Sequence, residues 1–413
     1  MYILCKDRGI PMARQLTPER VIGRDGLIDQ IWSKLETKSL RFTAERRVGK
    51  TTVMTKMLAE ARPRFQVVFM EVEAIDSPQR FAELLLNRLS PLMSRTDKAK
   101  DVWTTWWQKL GGTEIGGVIR LPDSKLDWRN TIEKTLESIC TQFADETIVL
   151  LMDEVPYMLQ GIASRHTSKD QRSEALALVD LLRAIRQQQP NLRMVFAGSI
   201  GLHHVLDDLK QSQLASQPFN DMPLVEIRSL KDDDAAQLAK RLLIEDGIEL
   251  DGESMQAVCH RVVQLTDAVP FYIESVCGRL SECGAAISVD DVEEAVAIQL
   301  TNDHDPWEME HFRSRLEIYY AGFAPGADGS QIPDVAIAQA VLDHLAITDE
   351  PQSIGDIWAL CKSQLPLNDK QHVIKLLRSL SLDHYLQSDT DKRYTFRFPL
   401  IKRWWIKVQD LES

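Results

Sequence analysis

Six cysteines are all that 413 residues supply, and no two of Cys5, Cys140, Cys259, Cys277, Cys283 and Cys361 stand as Cys-x-x-Cys. That absence excludes a zinc knuckle and a dithiol redox motif; scattered thiols of this kind read as buried or idle side chains in a reducing compartment. No apolar stretch reaches the roughly 20 residues that cross a bilayer. The opening Met-Tyr-Ile-Leu-Cys-Lys-Asp-Arg also carries charge where a signal peptide needs an apolar run. The expectation is a cytoplasmic protein without membrane contact. Positive charge is in deficit: 49 Lys and Arg face 61 Asp and Glu, a net charge of -12. A surface that coats nucleic acid as a whole is thereby excluded, and any such contact has to be regional. Low-complexity tracts and fixed-period repeats are missing too, which removes disorder and solenoids.

What remains is an ordinary globular composition, 44% apolar and 27% charged, in a chain long enough for two or three domains. Residues 1–20 read as an irregular arm. Leu27, Ile28, Ile31, Trp32 and Leu35 then recur at helical spacing, and a strand is expected over 39–43. A helix from Thr51 and a strand over 66–71 complete a strand, helix, strand unit, the opening of a parallel sheet covered by helices. Residues 78–110 read as helices with a charged break at 94–101, and 111–120 as a short hairpin; no role is legible for 94–126. A helix over 128–143 feeds 147–152, five apolar residues in six, the pattern of a strand buried on both faces. The polar stretch 161–172 is expected as a mobile loop. A helix over 173–188 and a strand over 193–197 follow. Residues 229–300 are helical without a convincing strand.

The chemistry is concentrated in residues 44–51, Ala-Glu-Arg-Arg-Val-Gly-Lys-Thr, placed between a strand and a helix. A helix N-terminus offers free N–H groups and the positive end of the helix dipole, which suit a polyphosphate. Ala44, Arg46, Arg47, Val48, Gly49, Lys50, Thr51 and Thr52 are therefore the phosphate-binding candidates. Gly49 lets the backbone curl, Lys50 bridges terminal phosphates, and the Thr51 hydroxyl holds Mg2+. Ala44 stands where this pattern usually has glycine, and solvent exposure is the plainer role for at least one of the two arginines. Asp153 and Glu154 end the buried strand. Asp153 is read as the second Mg2+ ligand and Glu154 as the base for the attacking water, against the plain alternative of two acids capping a strand. Ser199, after the next strand, is placed to reach the γ-phosphate or the water. Arg183, Arg186 and Arg193 are candidates for a further cation on the transferred phosphoryl group, in cis or from a neighbouring copy.

Together these segments resemble the archaeal-type ATPase family of AAA+/STAND P-loop NTPases, related to origin-recognition ATPases. The resemblance rests on Val21-Ile-Gly-Arg24, Arg46-Arg-Val-Gly-Lys-Thr-Thr52, Leu150-Leu-Met-Asp-Glu154, Gly198-Ser-Ile-Gly-Leu202, Phe219-Asn-Asp-Met-Pro223, Val269-Pro270, His311-Phe-Arg-Ser-Arg-Leu316 and Tyr394-Thr-Phe-Arg-Phe-Pro-Leu400 with Trp404-Trp405. It implies ATP and Mg2+ as cofactors and a slow ATPase. Val21, Ile22 and Gly23 become adenine-pocket residues, and Pro270 a lid residue near the nucleotide. Ala268-Val269 departs from relatives that often carry glycine before this proline. The implied architecture is an N-terminal arm (1–20), a P-loop ATPase domain (21–225), a helical lid (226–320), a linker (321–334) and a winged helix-turn-helix domain (335–413). A defence context, antiviral defence included, or a mobile-element context rests on the resemblance alone.

In the last domain, helical patterns over 335–347, 353–364 and 369–381 precede two short strands over 385–387 and 394–398. Lys370, Lys375, Arg378, Lys392 and Arg393 could contact DNA. Residues 336–413 are nevertheless neutral overall, with ten Lys and Arg against ten Asp and Glu. Protein contact or autoinhibition is slightly favoured, and Trp404 and Trp405 read as core rather than base-stacking residues. Three functions follow: an ATP-dependent switch that self-associates or meets a partner protein such as a nuclease or other effector; a DNA-binding loader or regulator; and a nucleotide-binding scaffold with little turnover.

Overall fold

The computed structural model describes residues 17–93, 127–164, 169–198, 218–284 and 286–411, together with 104–105, 107–108, 113–115, 118–120 and 204–205. Contacts divide the chain into two compact units: Met1–Thr43 with Gly49–Glu226, and Ala44–Val48 with Ile227–Ser413. No helix among the described residues is long and apolar enough to cross a membrane.

The first unit is built on strands β1 (Leu40–Thr43), β2 (Phe65–Glu71), β5 (Thr147–Asp153), β6 (Leu192–Gly198) and β7 (Leu224–Glu226). They form one sheet in the order β2-β5-β6-β1-β7, with every pair parallel. Its helices are α1 (Asp25–Leu35), α2 (Lys50–Ala59), α3 (Pro78–Met93), α4 (Trp128–Gln142), α5 (Val155–Ser164) and α6 (Lys169–Gln188). The apolar run at 147–152 is indeed a central strand, buried from Ile148 to Asp153 because sheet neighbours and covering helices leave it no wet face. In register, Thr43 pairs with Gly198 and Glu71 with Asp153, so β1, β5 and β6 release their following loops at the same sheet edge. The hairpin expected over 111–120 forms from β3 (Thr113–Ile115) and β4 (Val118–Arg120).

Two local expectations change. Most of 161–172 is helical, since α5 runs to Ser164 and α6 begins at Lys169, and residues 165–168 lie outside the described residues. Strand β7 was not foreseen: three residues carry too little pattern, and its place against β1 is a long-range pairing.

In the second unit, four helices come first: α7 (Asp232–Glu245), α8 (Gly252–Leu265), α9 (Pro270–Glu282) and α10 (Val289–Leu300). Asp251 caps α8 and Ser288 with Asp291 forms a capping box on α10, so polar side chains satisfy the first N–H groups. Helix α11 (Glu310–Tyr319) follows. The glycines and prolines of 321–334, expected to mark a linker, are instead turn and edge residues of a hairpin. There β8 (Phe323–Pro325) pairs with β9 (Gln331–Pro333), and Gly329 takes φ +82 in the turn. Helices α12 (Asp334–Ile347), α13 (Ile354–Gln364) and α14 (Lys370–Leu382) come next, with a three-stranded antiparallel sheet of β10 (Gln352–Ser353), β12 (Arg393–Phe396) and β11 (Leu386–Ser388).

The final basic run is a helix, α15 (Pro399–Val408), with Pro399 at its first turn. Leu400, Ile401, Trp404 and Trp405 form its buried stripe, and the Trp405 indole N–H donates to Asp343 Oδ1 at 2.7 Å. The thiols of Cys140, Cys259, Cys277 and Cys361 are buried, and burial pushes Cys140 up to about 12, an unreactive thiol.

Candidate active site

Strand β1 ends at Thr43, and the chain turns at Glu45–Val48, where the Val48 N–H reaches the Glu45 carbonyl at 3.4 Å. Positive φ falls on Arg47 (+70) and Gly49 (+99), not on Ala44. Alanine at the first position is therefore no obstacle: it is buried, and its conformation does not demand glycine. Gly49 is the N-cap of α2, which opens directly with Lys50 and Thr51.

Lys50 is 6% exposed, and its Nζ lies 2.7 Å from Glu154 Oε1 and 3.2 Å from Asp153 Oδ1. The Thr51 hydroxyl donates to Asp153 Oδ2 at 2.6 Å. Asp153 also accepts the Glu154 N–H at 3.0 Å through Oδ1, which holds its carboxylate in line with the strand end. Glu154 itself adopts φ +59. A glutamate is rarely kept in this left-handed conformation without a reason, and here it belongs to the turn that sets the carboxylate against Lys50. Four of the residues singled out from sequence thus meet within hydrogen-bonding distance, although about a hundred residues separate the two halves.

Val21 and Ile22 are half-buried and Gly23 has φ +70. The turn just before them is tied to α2 by Lys56, whose Nζ donates to the Pro18 carbonyl at 3.0 Å. Arg24 was missed as a site residue. It is 5% exposed, and a Cβ added to Gly49 would lie 3.8 Å from its Nη2. The only sequence signal for it is its position directly after Ile22-Gly23. Thr52 is half-buried beside Gly49, its Cβ the same 3.8 Å away. Ser199 lies outside the described residues.

Of the loop arginines, Arg46 is exposed and Arg47 half-buried, and both are paired. Arg46 pairs with Glu308 at 2.8 Å; Arg47 pairs with the same carboxylate at 2.9 Å, donates to the Trp307 carbonyl, and lies 3.9 Å from the Phe271 ring centroid. Phe271 follows Pro270, the first residue of α9. Pro270 is therefore one residue from the ring that stacks on Arg47. The loop before it resolves the missing glycine: Asp267 and Ala268 both take positive φ, +52 and +54, so Ala268 adopts the backbone a glycine would favour.

Asp267 accepts the Leu400 N–H at 2.7 Å, and burial pushes its carboxyl from 3.8 up to about 6. The fold favours the protonated form, so this group's stabilisation is present below 3.8 and is lost as pH rises through about 6. At 1.36 kcal/mol per pH unit, discounted for partial exposure, the penalty at neutral pH is about 2 kcal/mol. Asp267→Asn keeps the acceptor and tolerates positive φ. It should raise the thermal midpoint at pH 8 by about 5 °C and lose that advantage at pH 4, read by calorimetry at both pH values.

Of the three arginine candidates, two are held elsewhere. The Arg193 guanidinium donates to the carbonyls of Leu35, Glu36, Pro190 and Leu192. Arg186 is buried in a two-point pair with Asp221, 2.8 Å on each arm, and also donates to the Pro218 carbonyl. Both act as braces of the fold. Arg183, Arg186 and Arg193 all stand near the end of α6 and the start of β6, the sheet edge opposite Asp153. Arg186 and Arg193 are thus each engaged by partners of their own in this chain.

Residues 35–206 match the family model of an AAA domain. Over this segment the chain is similar to AAA domains. The likeness in fold extends further. The Walker-type ATPase PABY2304 of Pyrococcus abyssi superposes over 94% of this chain and 96% of that one, with TM-score 0.61 at 15% identity. Aeropyrum pernix ORC2 in its ADP form is similar over 97% of each chain at 11% identity, with TM-score 0.46. The Thermotoga maritima RuvB Holliday junction branch migration motor matches over 95% and 96% at 12% identity, with TM-score 0.40. No curated protein matches the chain.

An AAA domain is a nucleotide-binding P-loop module, and the residues fit its partners. Lys50 and the N–H groups opening α2 suit phosphates. Thr51 and Asp153 present hard oxygen donors of the kind Mg2+ takes. Among the described residues no group of three His, Cys, Asp or Glu side chains is gathered to hold a metal. Mg2+ bound by Thr51 and Asp153 would draw its other ligands from phosphate and water, and would supply charge neutralisation at the phosphates.

Proposed function

We propose that this protein binds MgATP at Lys50 and Thr51 and hydrolyses it with Glu154 as the base, acting as a nucleotide-dependent switch. The observation that carries this reading is the Lys50 ammonium held against both Asp153 and Glu154 at the N-terminus of α2. Lys50 meets the terminal phosphates, Glu154 is freed from the ion pair to orient water, and Asp153 with Thr51 holds Mg2+. Ser199 and Val21 to Gly23 keep their proposed roles toward the γ-phosphate and the adenine. The test is a titration with MgATP followed by phosphate release. Saturable binding with turnover that depends on Mg2+ supports the reading, and no binding refutes it.

In the switch, nucleotide alters the disposition of the C-terminal elements and hence a protein contact or self-association. The order α12, α13, α14 and hairpin supports reading these elements as a winged helix-turn-helix. Mass in solution with and without a slowly hydrolysed ATP analogue tests this part, and an unchanged monomer counts against it.

One observation favours a DNA-binding reading as well: Lys370, Lys375, Arg378, Lys392 and Arg393 are all exposed, on α14 and the β11–β12 hairpin. Lys402 and Arg403 do not join them, being bonded to the carbonyls of Thr348 and Leu265. Five phosphate contacts predict a slope of about −4.5 for log K against log salt, and Lys375→Ala with Arg378→Ala should flatten it by about two. Fluorescence anisotropy with duplex DNA at several salt concentrations measures both, and a flat response eliminates this reading.

A further inference from the structure

The His311–Leu316 segment carries no role in the phosphate chemistry above, yet one of its side chains is among the most deeply buried charges of the protein. Arg315 on α11 is 2% exposed, and its partner Glu45, the second residue of the phosphate loop, is 6% exposed. Arg315 Nη1 donates to Glu45 Oε1 at 3.2 Å. The same Oε1 accepts the Arg46 backbone N–H at 2.8 Å, directly before the left-handed Arg47. The Glu45 carbonyl accepts Val48 N–H in the same turn. The cation thus pins a carboxylate that pins the loop backbone.

The other face of the guanidinium is occupied just as fully. Nη2 donates to the Asp383 carbonyl at 2.7 Å, and Nε approaches the Tyr385 hydroxyl at 3.4 Å. The guanidinium carbon lies 4.8 Å from the Tyr385 ring centroid and 5.2 Å from that of Phe312. Tyr385 in turn donates to the Phe312 carbonyl. Asp383 caps α14, and His384 at φ +64 turns the chain toward β11. His311, next to the cluster, is kept neutral by burial and by the Arg315, Arg46 and Arg47 charges, so Arg315 is the cation that answers Glu45.

A buried ion pair adds little to folding beyond what well-packed apolar side chains would provide. This one is notable for what it joins: the first half of the phosphate loop and the turn between α14 and the β11–β12 hairpin. We infer that Arg315 is a positioning residue for the phosphate loop, and that through Glu45 it couples phosphate binding to the Asp383–Tyr385 turn. The inference rests on the MgATP reading. By linkage, a nucleotide that favours one loop conformation must alter the turn, and a change at the turn must alter affinity equally.

The test measures MgATP affinity and turnover, and amide exchange at residues 383–388 with and without MgATP, in four proteins: wild type, Glu45→Gln, Arg315→Lys and Lys50→Ala. Glu45→Gln keeps an oxygen for the Arg315 and Arg46 donors but leaves the buried Arg315 cation without its counter-charge, so Arg315→Lys, which retains both charges, is measured beside it. The expected result is a roughly tenfold weaker Kd for Glu45→Gln, a smaller loss for Arg315→Lys, kcat changed less than Kd, and a wild-type exchange response at 383–388 that Glu45→Gln abolishes. A Glu45→Gln protein with an altered melting temperature but unchanged Kd and exchange response reduces the pair to a structural brace and overturns the inference alone. Wild type that binds no MgATP, or Lys50→Ala that binds it normally, overturns the nucleotide reading and this inference with it.

Discussion

Lys50→Ala should weaken MgATP binding by about 100-fold or more while leaving the far-ultraviolet circular dichroism of the protein unchanged. The estimate follows from the number of charge-assisted hydrogen bonds lost, each about 1.5–3 kcal/mol, since an ammonium at a helix N-terminus meets more than one phosphate oxygen. The substitution also removes the counter-ion from Asp153, which is 4% exposed, and from Glu154. The nucleotide-free protein should therefore unfold at a lower temperature, and adding MgATP should no longer raise its melting point as it does for wild type. Calorimetric titration and thermal melts report the two effects separately. Affinity within threefold of wild type would place the nucleotide elsewhere.

Glu154→Gln should do the reverse: bind MgATP within a few-fold of wild type and lose about 10²–10⁴-fold in turnover. Glutamine keeps an oxygen for the Lys50 contact at 2.7 Å and suffers the same φ +59 as glutamate, so the ground state is little changed. What disappears is the carboxylate that can accept a proton from water. Phosphate release under saturating MgATP measures the loss, and unhydrolysed ATP recovered from the protein confirms trapping. Turnover near that of wild type would remove Glu154 as the base and return the scaffold reading.

The part of the candidate site that is legible in the sequence is the part encoded locally. Gly49, Lys50 and Thr51 are consecutive, and a strand before them with a helix after them is enough to present backbone N–H groups to an anion. Asp153 and Glu154 were legible because the apolar run before them reads as a strand buried on both faces, and strand ends in such sheets carry ligand groups. The basic and aromatic residues were far less legible. The same letter, arginine, serves as a carbonyl brace at Arg193, as a buried pair at Arg186 and as a pin on the phosphate loop at Arg315. Spacing along the chain does not distinguish these roles, because each is set by a partner tens to hundreds of residues away. Glycine and proline misled in the same manner: in 321–334 they mark a hairpin rather than a linker, since turn residues look alike whether or not strands pair across them.

By itself, then, the order of residues determined that this chain carries a parallel sheet with helices, a phosphate loop opening α2, a carboxylate pair after a buried strand, and helical patterns beyond. These follow from periodicity and from side-chain chemistry within a few residues. The tertiary structure alone decided the strand order β2-β5-β6-β1-β7, which brings Lys50 and Thr51 to Asp153 and Glu154. It also decided that Arg186 and Arg193 are held by partners of their own, and that Glu45 is answered by Arg315. Those outcomes depend on contacts between segments far apart in sequence, where burial makes each charge find a partner and only the folded chain says which one.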